Sequence, residues 1–126
     1  MLPELFLARM QRLLGTEYEA FLAVYDRPRN VGLRLNPLKT DMPPALAQFG
    51  LTPVPWAENG FYYDVQSRPG LSPYHDAGLY YLQEASAMAP AALLDPKPGE
   101  RVCDLCAAPG GKTTQIAGRM MGRGFL

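Results

Sequence analysis

The stretch DLCAAPGGKTTQIA, residues 104–117, constrains the fold more than any other part of the chain. An apolar run, RVCDLC at residues 101–106, leads into a Pro-Gly-Gly turn, and a helical pattern then covers residues 113–121. Strand, sharp turn and helix in that order read as the opening of a parallel α/β domain, since parallel strands need a crossover, usually helical, between them. In an open α/β sheet, the turn at the carboxyl end of a strand is also where ligands bind. Gly110 and Gly111 carry no side chain, so a ligand can approach the main chain there.

The turn is not a standard phosphate loop. A P-loop requires G-x-x-x-x-G-K-[ST]. Gly111-Lys112-Thr113 supplies its end, but Cys106 stands where the first glycine is needed. A dinucleotide G-x-G-x-x-G fails as well, at Cys106 and Ala108. The helix N-terminus at Lys112-Thr113 favours a carboxylate or a phosphate. Asp104 can accept hydrogen bonds from a cationic ligand or orient the loop amides. A zwitterionic nucleoside such as S-adenosylmethionine therefore suits the turn better than ATP. From the turn alone, a purely structural loop capped by Asp104 stands level with that reading.

Upstream, residues 3–15 read as a helix opened by Pro3 and stopped by Gly15, with Phe6, Met10, Leu13 and Leu14 on one face. A second helix starts at Thr16, where Glu19 completes a capping box, and its buried stripe is Tyr18, Phe21, Leu22 and Tyr25. In VGLRLNP, residues 31–37, Val31, Leu33 and Leu35 alternate with Gly32, Arg34 and Asn36, the pattern of a half-buried strand closed by Pro37. Residues 41–49 suit a short helix whose first turn holds Pro43 and Pro44. GFYYDV, residues 60–65, reads as a strand, and one long helix is expected over residues 76–94, kinked or ended early by Pro90. The expected fold class is an α+β N-terminal domain over residues 1–75. Residues 76–126 would then be the first helix-strand-turn-helix of a Rossmann-like α/β domain, incomplete as it stands.

Twelve basic and twelve acidic residues give a formal charge of zero, so attraction to nucleic acid or membrane would have to use a local patch. No apolar run approaches the ~18 residues of a membrane span, and MLPELFLARMQRL does not read as a signal peptide. Cys103 and Cys106 lack His neighbours, so no metal site is expected. They read as buried, reduced thiols of a cytoplasmic protein.

GERVCDLCAAPGGKTTQIA closely resembles the first cofactor motif of the Nop/Sun RNA cytosine-5 methyltransferases. GLYYLQEASAMAPAALLDPKPGE, residues 78–100, is similar to the family's helix and linker before that motif, and GLRLNPLK, residues 32–39, to its R-x-N-x-L-K stretch. Order and spacing resemble the bacterial RsmF-like subgroup acting on small-subunit ribosomal RNA, and the likeness covers most of the chain. It implies S-adenosyl-L-methionine as cofactor and ribosomal RNA as substrate class, with no membrane and no metal. It makes Cys106, Ala107, Ala108, Pro109, Gly110, Gly111 and Lys112 the cofactor loop, with Gln83 and Glu84 beside it on the preceding helix. Without the resemblance, those two read as a solvated helix face.

In that family a cysteine thiolate attacks carbon 6 of cytosine, and a second cysteine helps to release the product. Both lie downstream of the cofactor loop, so neither Cys103 nor Cys106 is the nucleophile, and no catalytic residue is expected in this chain. GRGFL, residues 122–126, reads as the start of the next strand. The expectation is the front portion of a methyltransferase, inactive by itself. A second reading is a non-catalytic RNA-binding module, using the acid-free basic run Arg27, Arg29, Arg34 and Lys39. Tyr62, Tyr63, Tyr74, Tyr80 and Tyr81 would stack on bases, against a bland view of a solvated face and core tyrosines. An NTP-binding loop is the third.

Overall fold

Local signals place the first elements. The computed structural model describes residues 2–41 and 44–126. Helix α1, Glu4–Leu14, follows Pro3 and ends at Gly15, whose φ of 52° is one that glycine adopts at little cost. The capping box expected at Thr16 does not form. A 3-10 turn over Gly15–Glu17 intervenes, and helix α2, Tyr18–Ala23, starts without a side-chain cap. The expected stripe of α2 is half-buried at Tyr18, Phe21 and Leu22, and Tyr25 is exposed. The two helices meet through Phe6 and Phe21, with ring centroids 6.1 Å apart, and Tyr25 in the following 3-10 turn packs on Phe21 at 5.4 Å.

A four-stranded antiparallel sheet follows, built from β1 (Gly32–Leu35), β2 (Thr52–Pro53), β3 (Gly60–Tyr62) and β4 (Tyr80–Leu82) in the order β2-β3-β1-β4. β1 lies between β3 and β4, pairing Leu33 with Phe61 on one side and with Leu82 on the other. All four of its residues are buried, which corrects the half-buried strand expected from its alternation. A 3-10 helix spans Pro44–Phe49. The start of the helix expected over residues 41–49, with Pro43, falls outside the described residues.

The long helix expected over residues 76–94 is two elements around a strand. A short helix α3, Pro73–Asp76, is followed by Gly78 at φ 70°, where the chain turns into β4. Tyr80 and Leu82 then pair with Leu35 and Leu33. Those partners lie far upstream in the chain, so local periodicity cannot reveal them. Helix α4 begins only at Ala85 and runs to Leu94, and it does not end at Pro90. The missing proline amide deprives the carbonyl of Ser86, which is exposed and can be satisfied by water. A division after residue 75 would separate β4 from the strand it pairs with.

Three apolar clusters hold these layers together. Leu33, Leu35, Leu46, Phe49 and Tyr80 fill the space under the sheet. Met88 of α4 packs with Val54 and Ala57 at the sheet's other side. Its sulfur would lie 2.6 Å from a Cβ added at Gly60, and the Gln83 carbonyl lies at the same distance from one at Gly32. Both glycines thus permit close approach of α4 and its leading segment to the sheet. The third cluster joins Ala91 of α4 to Ile116 and Met120 of helix α5, Gly111–Met120, with Val102 against it.

RVCDLC is not a buried strand, and its last two residues, Leu105 and Cys106, already lie in a turn. Among the described residues its β pairing is a single parallel bridge, Arg101 to Phe125, with Val102 N–H donating to the Phe125 carbonyl at 2.8 Å and Phe125 N–H to that of Glu100 at 3.0 Å. One face meets α4 and α5 through Val102, and Leu105 is 90% exposed. Cys103 and Cys106 are free and exposed, not buried as expected. A parallel strand is buried only when neighbours and helices cover both sides, and one partner with one helical layer does not suffice.

Candidate cofactor site

The expected loop lines a cleft of about 250 Å³ between the end of β4 and the start of α5. Cys106, Ala107, Ala108, Pro109, Gly111 and Lys112 form one wall, and Tyr81, Gln83, Glu84 and Ala87 are opposite. Of the expected loop residues only Gly110 is absent from the lining. Gly110 is instead the N-cap of α5, with φ 113° and no side-chain cap. A Cβ built there meets nothing within 4 Å, so backbone conformation, not crowding within the chain, calls for glycine. The peptide bond between Ala108 and Pro109 is cis.

Asp104 organises the loop. Its Oδ1 accepts the Cys106 amide at 2.9 Å, and its Oδ2 accepts the Thr113 hydroxyl at 2.8 Å. The Thr113 proton has an alternative acceptor in the Ala107 carbonyl at 3.1 Å. The Thr113 hydrogen bond, the Cys106 amide and the nearby Lys112 charge hold the Asp104 carboxyl below its ordinary range. Of the two roles expected for Asp104, the geometry shows the orientation of loop amides.

Behind the cleft lies a buried polar network. Gln83 and Gln115 are 7% and 5% exposed, so Gln83 belongs to no solvated helix face. It sits at the exit of β4, donating to the Ala87 carbonyl at 3.0 Å, while Gln115 donates to that of Met88 at 3.0 Å. Glu84 is the exposed N-cap residue of α4. Arg34 is 4% exposed, which removes it from the surface basic run, whereas Arg27, Arg29 and Lys39 are exposed. Burial lowers the Arg34 pKa to about 10, leaving it charged at neutral pH. The tyrosines also divide. Tyr80 is buried, donating to the Pro69 carbonyl at 2.7 Å, and Tyr62, Tyr63 and Tyr74 are half-buried against the clusters. Tyr81 faces the loop, with its hydroxyl 3.4 Å from the Pro109 carbonyl.

Sequence reasoning missed Tyr81 as a wall of the cleft and Arg34 as its support. The one signal for Arg34 in the sequence was its place between Leu33 and Leu35 in a strand; the flanking by β3 and β4 that buries it comes from the fold.

Residues 2–85 match the family described as the N-terminal domain of 16S rRNA methyltransferase RsmF. The chain belongs to that RsmF family. Residues 91–125 match a second description, 16S rRNA methyltransferase RsmB/F, a span that includes the AAPGGK loop. The chain is 42% identical to the ribosomal RNA small subunit methyltransferase F of Escherichia coli O1:K1, and 43% identical to that of Citrobacter koseri. In each case the match takes in 98% of this chain and 29% of the relative, so the RsmF-family chain spans less than a third of the relatives' length. A solved methyltransferase homolog protein from Pyrococcus horikoshii superposes with a TM-score of 0.76 at 35% identity, over 98% of this chain and 42% of that one. These matches establish the Nop/Sun-type, RsmF-like resemblance read from the AAPGGK loop. Among the described residues no helix is long and apolar enough to cross a membrane, and no three His, Cys, Asp or Glu are gathered to hold a metal ion.

Proposed function

We propose that this chain forms the N-terminal unit and the cofactor loop of an S-adenosylmethionine-dependent methyltransferase acting on cytosine of small-subunit ribosomal RNA. One observation carries the proposal: the cleft has loop residues from Cys106 to Lys112 on one wall, Gln83 and Glu84 on the other, and an uncapped helix N-terminus at its end. Its residues fit the cofactor. The first-turn amides of α5 and the Lys112 ammonium suit a carboxylate, and the exposed Glu84 carboxylate suits an ammonium or a hydroxyl. The cleft's volume of about 250 Å³ lies below the about 300–1,000 Å³ usual for a whole ligand site. It accommodates part of such a molecule. Bound there, the cofactor supplies a methyl group on a sulfonium, and this chain's residues bind and orient it. Neither cysteine is assigned the role of nucleophile.

The parallel bridge from Arg101 to Phe125 supports a Rossmann-like continuation after α5. We place the division between the two units within residues 83–91, because β4 completes the N-terminal sheet and α4 is shared by both. An NTP site is disfavoured, since the Thr113 hydroxyl that a P-loop would offer to magnesium is tied to Asp104. For RNA, the exposed Arg29 borders a groove with Asn30, Tyr63 and Glu84, next to the cofactor cleft. That placement favours an RNA path alongside the site.

Calorimetry with S-adenosylmethionine and ATP tests the reading. S-adenosylmethionine should bind this chain weakly, near about 1 mM (about 4 kcal/mol), and ATP no better than inorganic phosphate. Gly110→Val should abolish binding, because a φ of 113° suits no β-branched residue. Tighter binding of ATP would return the phosphate-loop reading.

A further inference from the structure

Arg34 does not act on the surface, yet its guanidinium directs its donors at the cofactor loop. Nε donates to Gln83 Oε1 at 2.9 Å, and Nη2 to Thr114 Oγ1 at 2.8 Å and the Gly111 carbonyl at 3.2 Å. These partners are neutral, and among the described residues Arg34 forms no ion pair. A buried cation costs free energy unless its hydrogen bonds are well placed. Burying it beside the positive end of α5 adds to that cost. A position in the middle strand that served packing alone would be filled by an apolar residue.

The bonds act on particular peptide planes. The Thr114 hydroxyl accepts from Arg34 and donates in turn to the Gly110 carbonyl at 2.8 Å. The Gly110 carbonyl shares a planar peptide unit with the Gly111 amide, and the Gly111 carbonyl shares one with the Lys112 amide. The Gly110 carbonyl also accepts the Thr114 amide at 2.8 Å, and the bonds from Arg34 and the Thr114 hydroxyl act with it to fix the directions of the two amides that begin α5. Gly111 and Lys112 both line the cleft. Gln83, the third partner, lines its opposite wall.

We propose that Arg34 is a positioning residue: from the central strand of the N-terminal sheet it sets the Gly111 and Lys112 amides for the ligand. The ligand's identity rests on the cofactor reading above, whereas the setting of the amides does not. Lysine cannot replace arginine in this role, because one ammonium does not reproduce the planar fork. The positive charge held behind the helix end also favours an anionic ligand group over a neutral one.

The experiment uses the labelled full chain with Arg34→Met and Thr114→Val. Thr114 is exposed, so its isosteric change tests the relay even if Arg34→Met fails to fold. Without ligand, order parameters of the Gly111 and Lys112 amides should fall from about 0.85 toward about 0.6 in both variants. Those of Val54 and Asp64, whose amides bond Gly60 and Phe49 elsewhere in the fold, should stay unchanged. Affinity for S-adenosylmethionine should drop about tenfold in Arg34→Met, as expected for losing charge-assisted hydrogen bonds. Unchanged Gly111 and Lys112 amides in Thr114→Val, or a uniform loss of order across the sheet in Arg34→Met, would overturn the assignment. If wild type binds no S-adenosylmethionine while the amides respond, the positioning role stands and the cofactor reading falls.

Discussion

In the α1–α2 hairpin no side chain is buried, whereas the sheet with α4 and α5 encloses Leu33, Leu46 and Met88 completely and three polar side chains besides. The hairpin is held by aromatic contacts within itself, with Leu5 88% and Leu13 62% exposed. The body is held by partners distant in sequence. Energy and information are thus distributed differently in the two. The hairpin follows its own period and the stop at Gly15, and none of the residues in the three apolar clusters comes from it. In the body, Arg34, Tyr81, Gln83 and Gln115 about the AAPGGK loop each bond to another element.

The largest expected effect tests this contrast directly. Met88→Ala should lower unfolding free energy by about 2–5 kcal/mol, as for a buried side chain whose loss leaves a cavity. Leu5→Ala in the hairpin should stay within about 0.5 kcal/mol. Urea unfolding followed by tryptophan fluorescence measures both, since Trp56 is the single tryptophan and its indole N–H bonds the Ala85 carbonyl where α4 begins. A Leu5→Ala effect as large as that of Met88→Ala would erase the distinction.

The same contrast explains what the sequence disclosed. α1, the span of β1 and the loop–helix unit of α5 were legible, because caps, glycines and short-range patterns decide them. The AAPGGK loop was legible as a turn between an extended segment and a helix, and the structure finds its residues other than Gly110 lining a cleft. β4 was not, since Tyr80–Leu82 gains its strand character from pairing with β1, and Ala-rich sequence immediately follows. Arg34 was misread for a related reason. A sequence shows a basic residue in an acid-free run, whereas burial depends on β4 and α5 closing over it. The exposure of Cys103 and Leu105 was missed because apolar composition states a preference for burial, not the presence of a cover.

A smaller effect separates Arg27 and Arg29, in the exposed connection between hairpin and sheet, from Arg34 in the body. Changing Arg27 and Arg29 together to Gln should weaken binding to a ribosomal RNA fragment. It should also flatten the salt dependence by about one unit of slope per lost phosphate contact. Melting temperature should not move, because neither side chain is buried. An unchanged slope would make these arginines a solvated face and leave the groove beside Glu84 without an RNA role.

The smallest effect is acid sensitivity, and it falls on one side of a finer division within the body. Asp104 is the carboxylate of the loop, whereas the network of buried Arg34, Gln83 and Gln115 with exposed Thr114 contains none. The carboxyl of Asp104 titrates below its ordinary value because the Thr113 hydroxyl and the Cys106 amide favour the charged form. A depressed carboxylate contributes stability that is fully present above the unfolded value, about 3.9. That contribution is lost as pH falls through the lower folded value. Above the unfolded value the loop should therefore hold, and only below the lower folded value should the Cys106 amide lose its charged acceptor. Amide resonances of Cys106 should shift with a midpoint under about 3.9, and Asp104→Asn should remove that titration. The side-chain amides of Gln83 and Gln115 should not follow, because nothing they bond to changes protonation there. If they move with the Cys106 midpoint, loop and network form one cooperative unit, and the support that Arg34 gives the cleft extends through Asp104 as well.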